Sequence, residues 1–170
     1  MNIELATDSE QQILQKSPSV LLHSLDDILR MTRSTAAAEN TPYAGSVKPR
    51  IAWALFSSGK ALLIDIRTHE ELTFVGRVPN VLHIPWATGT ALTRNPRFLK
   101  ELEKKASKTD VILLLCRSGR RSALAAEVAT KAGFTQVFNV LEGFEGNLDE
   151  NEQRGHLGGW RYYQLPWLQN

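Results

Sequence analysis

Cysteine is nearly absent from this chain of 170 residues, in which Cys116 stands alone. A single thiol excludes an internal disulfide and any zinc site built from several cysteines. The histidines, His23, His69, His83 and His156, are scattered without metal-ligand spacing, so neither a metal nor a cofactor is expected. No apolar run approaches the ~18 residues of a membrane span. The N-terminus, MNIELATDSEQQ, carries acids early and has no basic segment ahead of an apolar one, so no secretory signal is read there and a cytoplasmic protein is expected. A net charge of +2 supplies no global field for nucleic acid. There is no internal repeat and no low-complexity tract. What remains is enough chain, at 42% hydrophobic residues, for one α/β core, and nothing compels more than a monomer.

Helical and strand patterns alternate along that chain. Leu21, Leu22, Leu25, Ile28 and Leu29 form an apolar helical stripe, with Ser24 and Asp27 as a capping pair, and the stripe is expected to pack against the core or a partner. Residues 35–46, with three alanines, Asn40, Pro42 and Gly45, read as a linker. Pro49 suits the first turn of a helix that runs through Trp53 and Phe56 to Gly59. Strands are expected at 61–66, 81–84, 111–115 and 137–140. Pro85 and Trp86, the latter at the core or its rim, lead into a polar stretch at 87–94. Asn95 as N-cap and Pro96 in the first turn open a helix with Phe98, Leu99 and Leu102 inward, and a further helix over 123–132 ends at Gly133.

Short apolar strands separated by helices predict an α/β fold with a mainly parallel central sheet, helices on both faces, and ligands at the carboxyl ends of the strands. The expected division is an N-terminal extension over 1–46, a domain over 47–146, and a tail over 147–170 packed back on it. The tail is polar at first, then aromatic, with Trp160, Tyr162, Tyr163 and Trp167.

Cys116 directly follows the apolar run 111–115 and opens the segment CRSGRRS, ahead of a helical pattern. The thiol is thus expected at the carboxyl edge of a buried strand and at the positive end of a helix. Unpaired N–H groups and about half a positive charge at a helix N-terminus favour thiolate over thiol. Arg117, Arg120 and Arg121 add positive charge, and Gly119 permits a backbone turn that aims several amides at one atom. The pattern describes an anion cradle with a sulfur nucleophile in its floor. A buried structural cysteine followed by a basic turn is the plain alternative.

These residues resemble the rhodanese-type sulfurtransferases in their single-domain form. Cys116 matches the family's persulfide-forming cysteine, and Arg117, Ser118, Gly119, Arg120 and Arg121 match the rest of its six-residue loop. The segment LLIDIR at 62–67, followed by Glu70 and Glu71, is similar to the family's strand and D-x-R segment. The stretch GRVPNVLHIP at 76–85 resembles its "G-H-I-P-G-A-x-N-I-P" motif, with Arg77, Asn80 and His83 as departures. VFNVLEG at 137–143 looks like its last strand and the turn facing the active site.

The resemblance implies a rhodanese-like fold and a ping-pong sulfurtransferase of the thiosulfate type. Cys116 takes a sulfane sulfur from a small anionic donor and passes it to a thiol or protein acceptor. The loop from Arg117 to Ser122 binds substrate, with Arg117 and Arg121 ranked ahead of Arg120 for the donor's anionic part. Asp65 and Arg67 brace the sheet edge. Glu142, Gly143 and Phe144 form a pocket wall opposite the thiol. Glu70 and Glu71 read as the first turn of a short helix.

Two rivals share the fold. Cysteine-dependent phosphatases read C-x5-R, and arsenate reductases use related chemistry; here the arginine falls one residue earlier, at Arg121, which makes a smaller ring suited to one sulfur atom. The other is a noncatalytic rhodanese-like binding module, although such modules often lack the cysteine.

Overall fold

The computed structural model describes the backbone of residues 18–169 and the side chains of residues 24–169. The N-terminal segment read for a signal lies outside the described residues, as do the side chains of Leu21, Leu22 and His23. A long helix α1 (Pro18–Ala38) comes first, followed by β1 (Gly45–Val47), α2 (Pro49–Ser57), β2 (Leu62–Asp65) and α3 (His69–Phe74). Then come β3 (Leu82–His83), β4 (Ala87–Thr88), β5 (Thr93–Arg94) and α4 (Phe98–Lys105). The regular part ends with β6 (Ile112–Leu115), α5 (Arg120–Lys131) and β7 (Val137–Val140).

Five strands form one sheet in the order β1-β7-β6-β2-β3, every pairing parallel, and β4 and β5 make a separate two-stranded hairpin. Alternation along the strands divides the core in two. Leu63, Leu113, Leu115, Phe138 and Val140 face α1 and α2, where Leu25, Leu29, Ile51 and Leu55 meet them. Ile64, Ile112, Leu114 and Val137 face α4 and α5, with Phe98, Leu102, Ala125 and Ala129. Cys116 continues the second set, so its side chain lies on the α5 face.

Four local readings change. Residues 35–46 are not simply a linker: α1 continues to Ala38, because alanine is the strongest helix former, and β1 begins at Gly45 as an edge strand beside β7. Ser24 and Asp27 sit inside α1 rather than at its start, and Asp27 pairs with Arg30 at 2.7 Å. The polar stretch 87–94 contains the β4–β5 hairpin. Asn95 does hold a turn, its Oδ1 accepting from Arg97 N–H at 2.9 Å, but α4 begins later, at Phe98.

The tail lies on the α2 face. Trp160 is fully buried, its Nε1–H donating to Pro166 O at 2.9 Å, and Leu168 bridges Arg77 in antiparallel fashion. Among the described residues no helix is long and apolar enough to cross a membrane.

Candidate active site

β6 is the central strand of the sheet, and Cys116 follows its last residue, buried to 1% exposure. Gly119 adopts φ +89, which turns the chain so that its own N–H donates to Cys116 Sγ at 3.1 Å. The helix then starts at once: Arg120, Arg121 and Ser122 form the first turn of α5, three residues before the expected start at 123. Ser122 is fully buried in that turn, with Oγ 3.1 Å from Sγ.

Ser122 Oγ also lies 2.6 Å from Asn139 Oδ1, and a hydroxyl has one proton for two acceptors. When that proton goes to Asn139 Oδ1, the thiol S–H must donate to the serine oxygen. When it goes to a thiolate, Asn139 satisfies the serine by turning its NH2 inward. The buried Asn139 therefore accommodates both charge states of the sulfur. Sequence reading passed over this residue; the available signal was a lone amide in the apolar strand VFNV.

Arg121 does not stand free beside Arg117 to receive a donor, as the expected ranking had it. It is forked onto Glu71, Nη1 to Oε2 at 2.8 Å and Nη2 to Oε1 at 2.6 Å. Glu71 in turn closes a capping box on α3 with Thr68. Burial pushes the Glu71 carboxyl up, but the bonds from Arg121 and Thr68 N–H and the charges of Arg121 and Arg67 outweigh it and hold the group below the usual carboxylate range. Burial lowers the Arg121 guanidinium, yet Glu71, Cys116 and Asp65 together raise it, so its charge still reaches the sulfur.

A carboxylate depressed in the folded state binds fewer protons than in the unfolded chain. Its stabilisation is complete above the ordinary carboxylate range and is lost as pH falls through the folded value. Glu71→Gln is expected to cost about 2 kcal/mol near neutral pH. Urea midpoints measured at about pH 7 and about pH 3 should show the gap between variant and native protein closing in acid.

Asp65 and Arg67 form a fully buried pair at the end of β2, Nη2 to Oδ2 at 2.7 Å and Nε to Oδ1 at 3.0 Å. Arg67 Nη2 also donates to Gly76 O at 2.9 Å, and the guanidinium lies 3.9 Å from the centre of the Phe144 ring. Neither side chain is within hydrogen-bond range of Sγ; they join β2, the 76–78 segment and the turn after β7. Trp86 is buried in the second core cluster, edge-on to Phe98 and covered by Arg94.

The residues expected as a pocket wall lie behind the loop instead. Phe144 N–H donates to Cys116 O at 2.8 Å and Glu145 N–H to Arg117 O at 2.9 Å, so the turn after β7 is pinned to the loop backbone. Phe144 is fully buried, and Glu142 accepts from Gly159 N–H at 2.8 Å, toward the tail. Gly143, at φ +63, packs directly on the loop. Arg117 and Ser118 are half-buried and Arg120 is exposed; all three line a surface hollow beside the loop.

The Rhodanese-like domain model matches residues 48–150. The crystal structure of Rv0390 from M. tuberculosis superposes with a TM-score of 0.67 at 44% identity, covering 75% of this chain and 99% of that one. The uncharacterized protein RC0915 of Rickettsia conorii is 35% identical over 119 residues, 66% of this chain and 87% of that protein. Thiosulfate sulfurtransferase 16, chloroplastic, of Arabidopsis thaliana is 30% identical over 109 residues, 63% of this chain and 89% of its own.

Proposed function

Because the chain belongs to the rhodanese-like domain family, we propose that it is a sulfurtransferase that moves a sulfane sulfur from a small anionic donor such as thiosulfate to a thiophilic acceptor, through a persulfide on Cys116. The observation that carries this reading is the sulfur itself. It is buried at the end of the central strand, met by Gly119 N–H and Ser122 Oγ at 3.1 Å each, in a ring of six residues closed by Arg121.

The Cys116 thiolate attacks the outer sulfur of thiosulfate. A new S–S bond forms to Sγ, the donor's S–S bond breaks, and sulfite leaves with the electron pair. The negative charge now rests on the terminal sulfur of the persulfide. Gly119 N–H, already on Sγ, and the positive N-terminal end of α5 would meet that charge in the manner of an oxyanion hole. A thiol, a protein thiolate or cyanide then attacks the terminal sulfur, and Cys116 departs as thiolate. No general base enters either step once the thiolate exists, and no cofactor takes part. Ser122 follows the sulfur's charge by redirecting its one proton, with Asn139 taking up the difference. The protein is proposed to act as a monomer in the cytoplasm, on neither nucleic acid nor membrane.

Incubation with thiosulfate, desalting and intact-mass measurement are expected to show a gain of about 32 Da, one sulfur, on the native protein and none on Cys116→Ser. Cyanide should reverse the gain with release of thiocyanate. No adduct from thiosulfate or a persulfide, together with Cys116-dependent hydrolysis of an aryl phosphate, would replace this reading with the phosphatase one. Inertness in both assays would leave a binding module.

A further inference from the structure

The tail brings another arginine to the loop. Asp149 organises the turn over 147–156: its Oδ1 accepts from Asn151 N–H and Gln153 N–H at 2.9 Å each, and its Oδ2 pairs with His156 Nδ1 at 2.6 Å. Arg154 is thereby held half-buried, with Nη1 donating to Gly146 O at 2.7 Å. Arg117, Arg120 and Arg154, with Ser118, Asn147 and Leu148, line a hollow of about 300 Å³ beside the cysteine loop.

The lining marks this hollow as made for an anion: three arginines face it and no carboxylate does. Arg117 Nε itself has no accessible surface and no hydrogen-bond partner among the described residues. Burial, and after it the like charge of Arg117, holds the Arg154 guanidinium below its usual range; Arg120 and Arg121 add to the repulsion and Glu145 opposes it. Cationic donors crowded together without matching acceptors are complementary to carboxylate or sulfonate oxygens. At ~30 Å³ of liquid per water, the space equals about ten waters, more than a bare inorganic oxyanion fills. Leu148, 46% exposed, offers an apolar side to a carbon framework.

We propose that Arg117, Arg120 and Arg154 form a subsite for the anionic end of an organic sulfur donor, with Arg154, outside the matched domain residues 48–150, as the residue that selects it. The class is a carboxylated organic persulfide or thiosulfonate. The transferred sulfur reaches Cys116 while the carboxylate stays among the arginines. Nothing in the chain's first 146 residues supplies Arg154, so selection depends on the tail.

The selection part of the proposal rests on sulfur transfer; the subsite does not, and two measurements separate them. In the first, kcat/KM is compared for benzenethiosulfonate and its 4-carboxy derivative. Attack on the outer sulfur releases the arenesulfinate in both cases, so only the second charge differs. The native protein should prefer the carboxylated donor about tenfold, Arg154→Gln should lose that preference, and Arg154→Lys should retain part of it. A preference absent from the native protein, or unchanged in Arg154→Gln, overturns the selection. In the second, 4-sulfobenzoate, an unreactive dianion, is titrated calorimetrically into Cys116→Ser. Binding should weaken about tenfold, equivalent to ~1.4 kcal/mol, when Arg154→Gln is added, and a Kd unmoved by that change overturns the subsite. Binding that depends on Arg154 without sulfur transfer from any donor keeps the subsite and discards the sulfurtransferase reading.

Discussion

Asp65→Asn is expected to remove about 3–5 kcal/mol of stability, because it leaves Arg67 charged and buried with its main partner gone. Both side chains have no exposed surface, and the carboxylate accepts from Arg67 Nε, Nη2 and backbone N–H. The Phe144 ring and Gly76 O contact the guanidinium but carry no negative charge to replace the lost one. For a domain whose total stability is on the order of 5–15 kcal/mol, that loss is a large fraction. Urea denaturation should show the midpoint falling with little change in slope. Adding Arg67→Met to Asp65→Asn should recover part of the loss, since an apolar side chain carries no charge to desolvate. A single variant within about 1 kcal/mol of the native protein would mean that water or other groups solvate Arg67, and the bracing role would fall.

Gly143→Ala has the second large effect, and it falls on activity as well as stability. A Cβ at Gly143 would lie 2.6 Å from both Arg117 C and Ser118 N, and closer still to Cys116 O. Those atoms are the backbone of the cysteine loop and cannot swing aside as a side chain would. The residue is also at φ +63, where an L side chain costs about 1–2 kcal/mol by itself. The loop must therefore shift, and displacement of a reacting group by about 1 Å costs ~100-fold in rate. Gly133→Ala is the control: its φ is +95, yet nothing lies within 4 Å of the added Cβ. It should lose about 1 kcal/mol and keep sulfur-transfer activity. Equal rates for Gly143→Ala and the native protein would show that the turn after β7 does not position the loop.

The two glycines show how far the sequence could be read. Both stand after a periodic segment and look alike as punctuation, but one ends α5 in open space and the other carries the loop. Contacts between residues 116–118 and 143 depend on β6 and β7 lying side by side, which the pairing of Leu113 with Phe138 establishes and local pattern does not. The strands themselves were legible. Their mainly apolar runs reach 137–140 without error and 111–115 within one residue, because a parallel strand buried on both faces is apolar nearly throughout, Asn139 being the exception. The edge strand β1 was missed because Gly45, Ser46 and Val47 carry no such run; β7 recruits them through backbone pairing, and Val47 then packs into the core. The start of α5 was placed late because arginines and serine gave no apolar period there, whereas the turn at Gly119 commits the next residues to the helix.

By itself the sequence determined the order of the longer helices and of four sheet strands, the placement of Cys116 at a strand end before a helix, and the run of positive charge around it. These are local matters of apolar period, glycine conformation and adjacent charge. Only the tertiary structure decided what each charged group does. Arg121 is occupied by Glu71 from α3, 50 residues away; Ser122 in α5 is tied to Asn139 in β7; Arg154 arrives from the tail. An arginine's role depends on whether an acid lies within reach, and that distance is set by the packing of the sheet and by nothing in the residue's own neighbourhood.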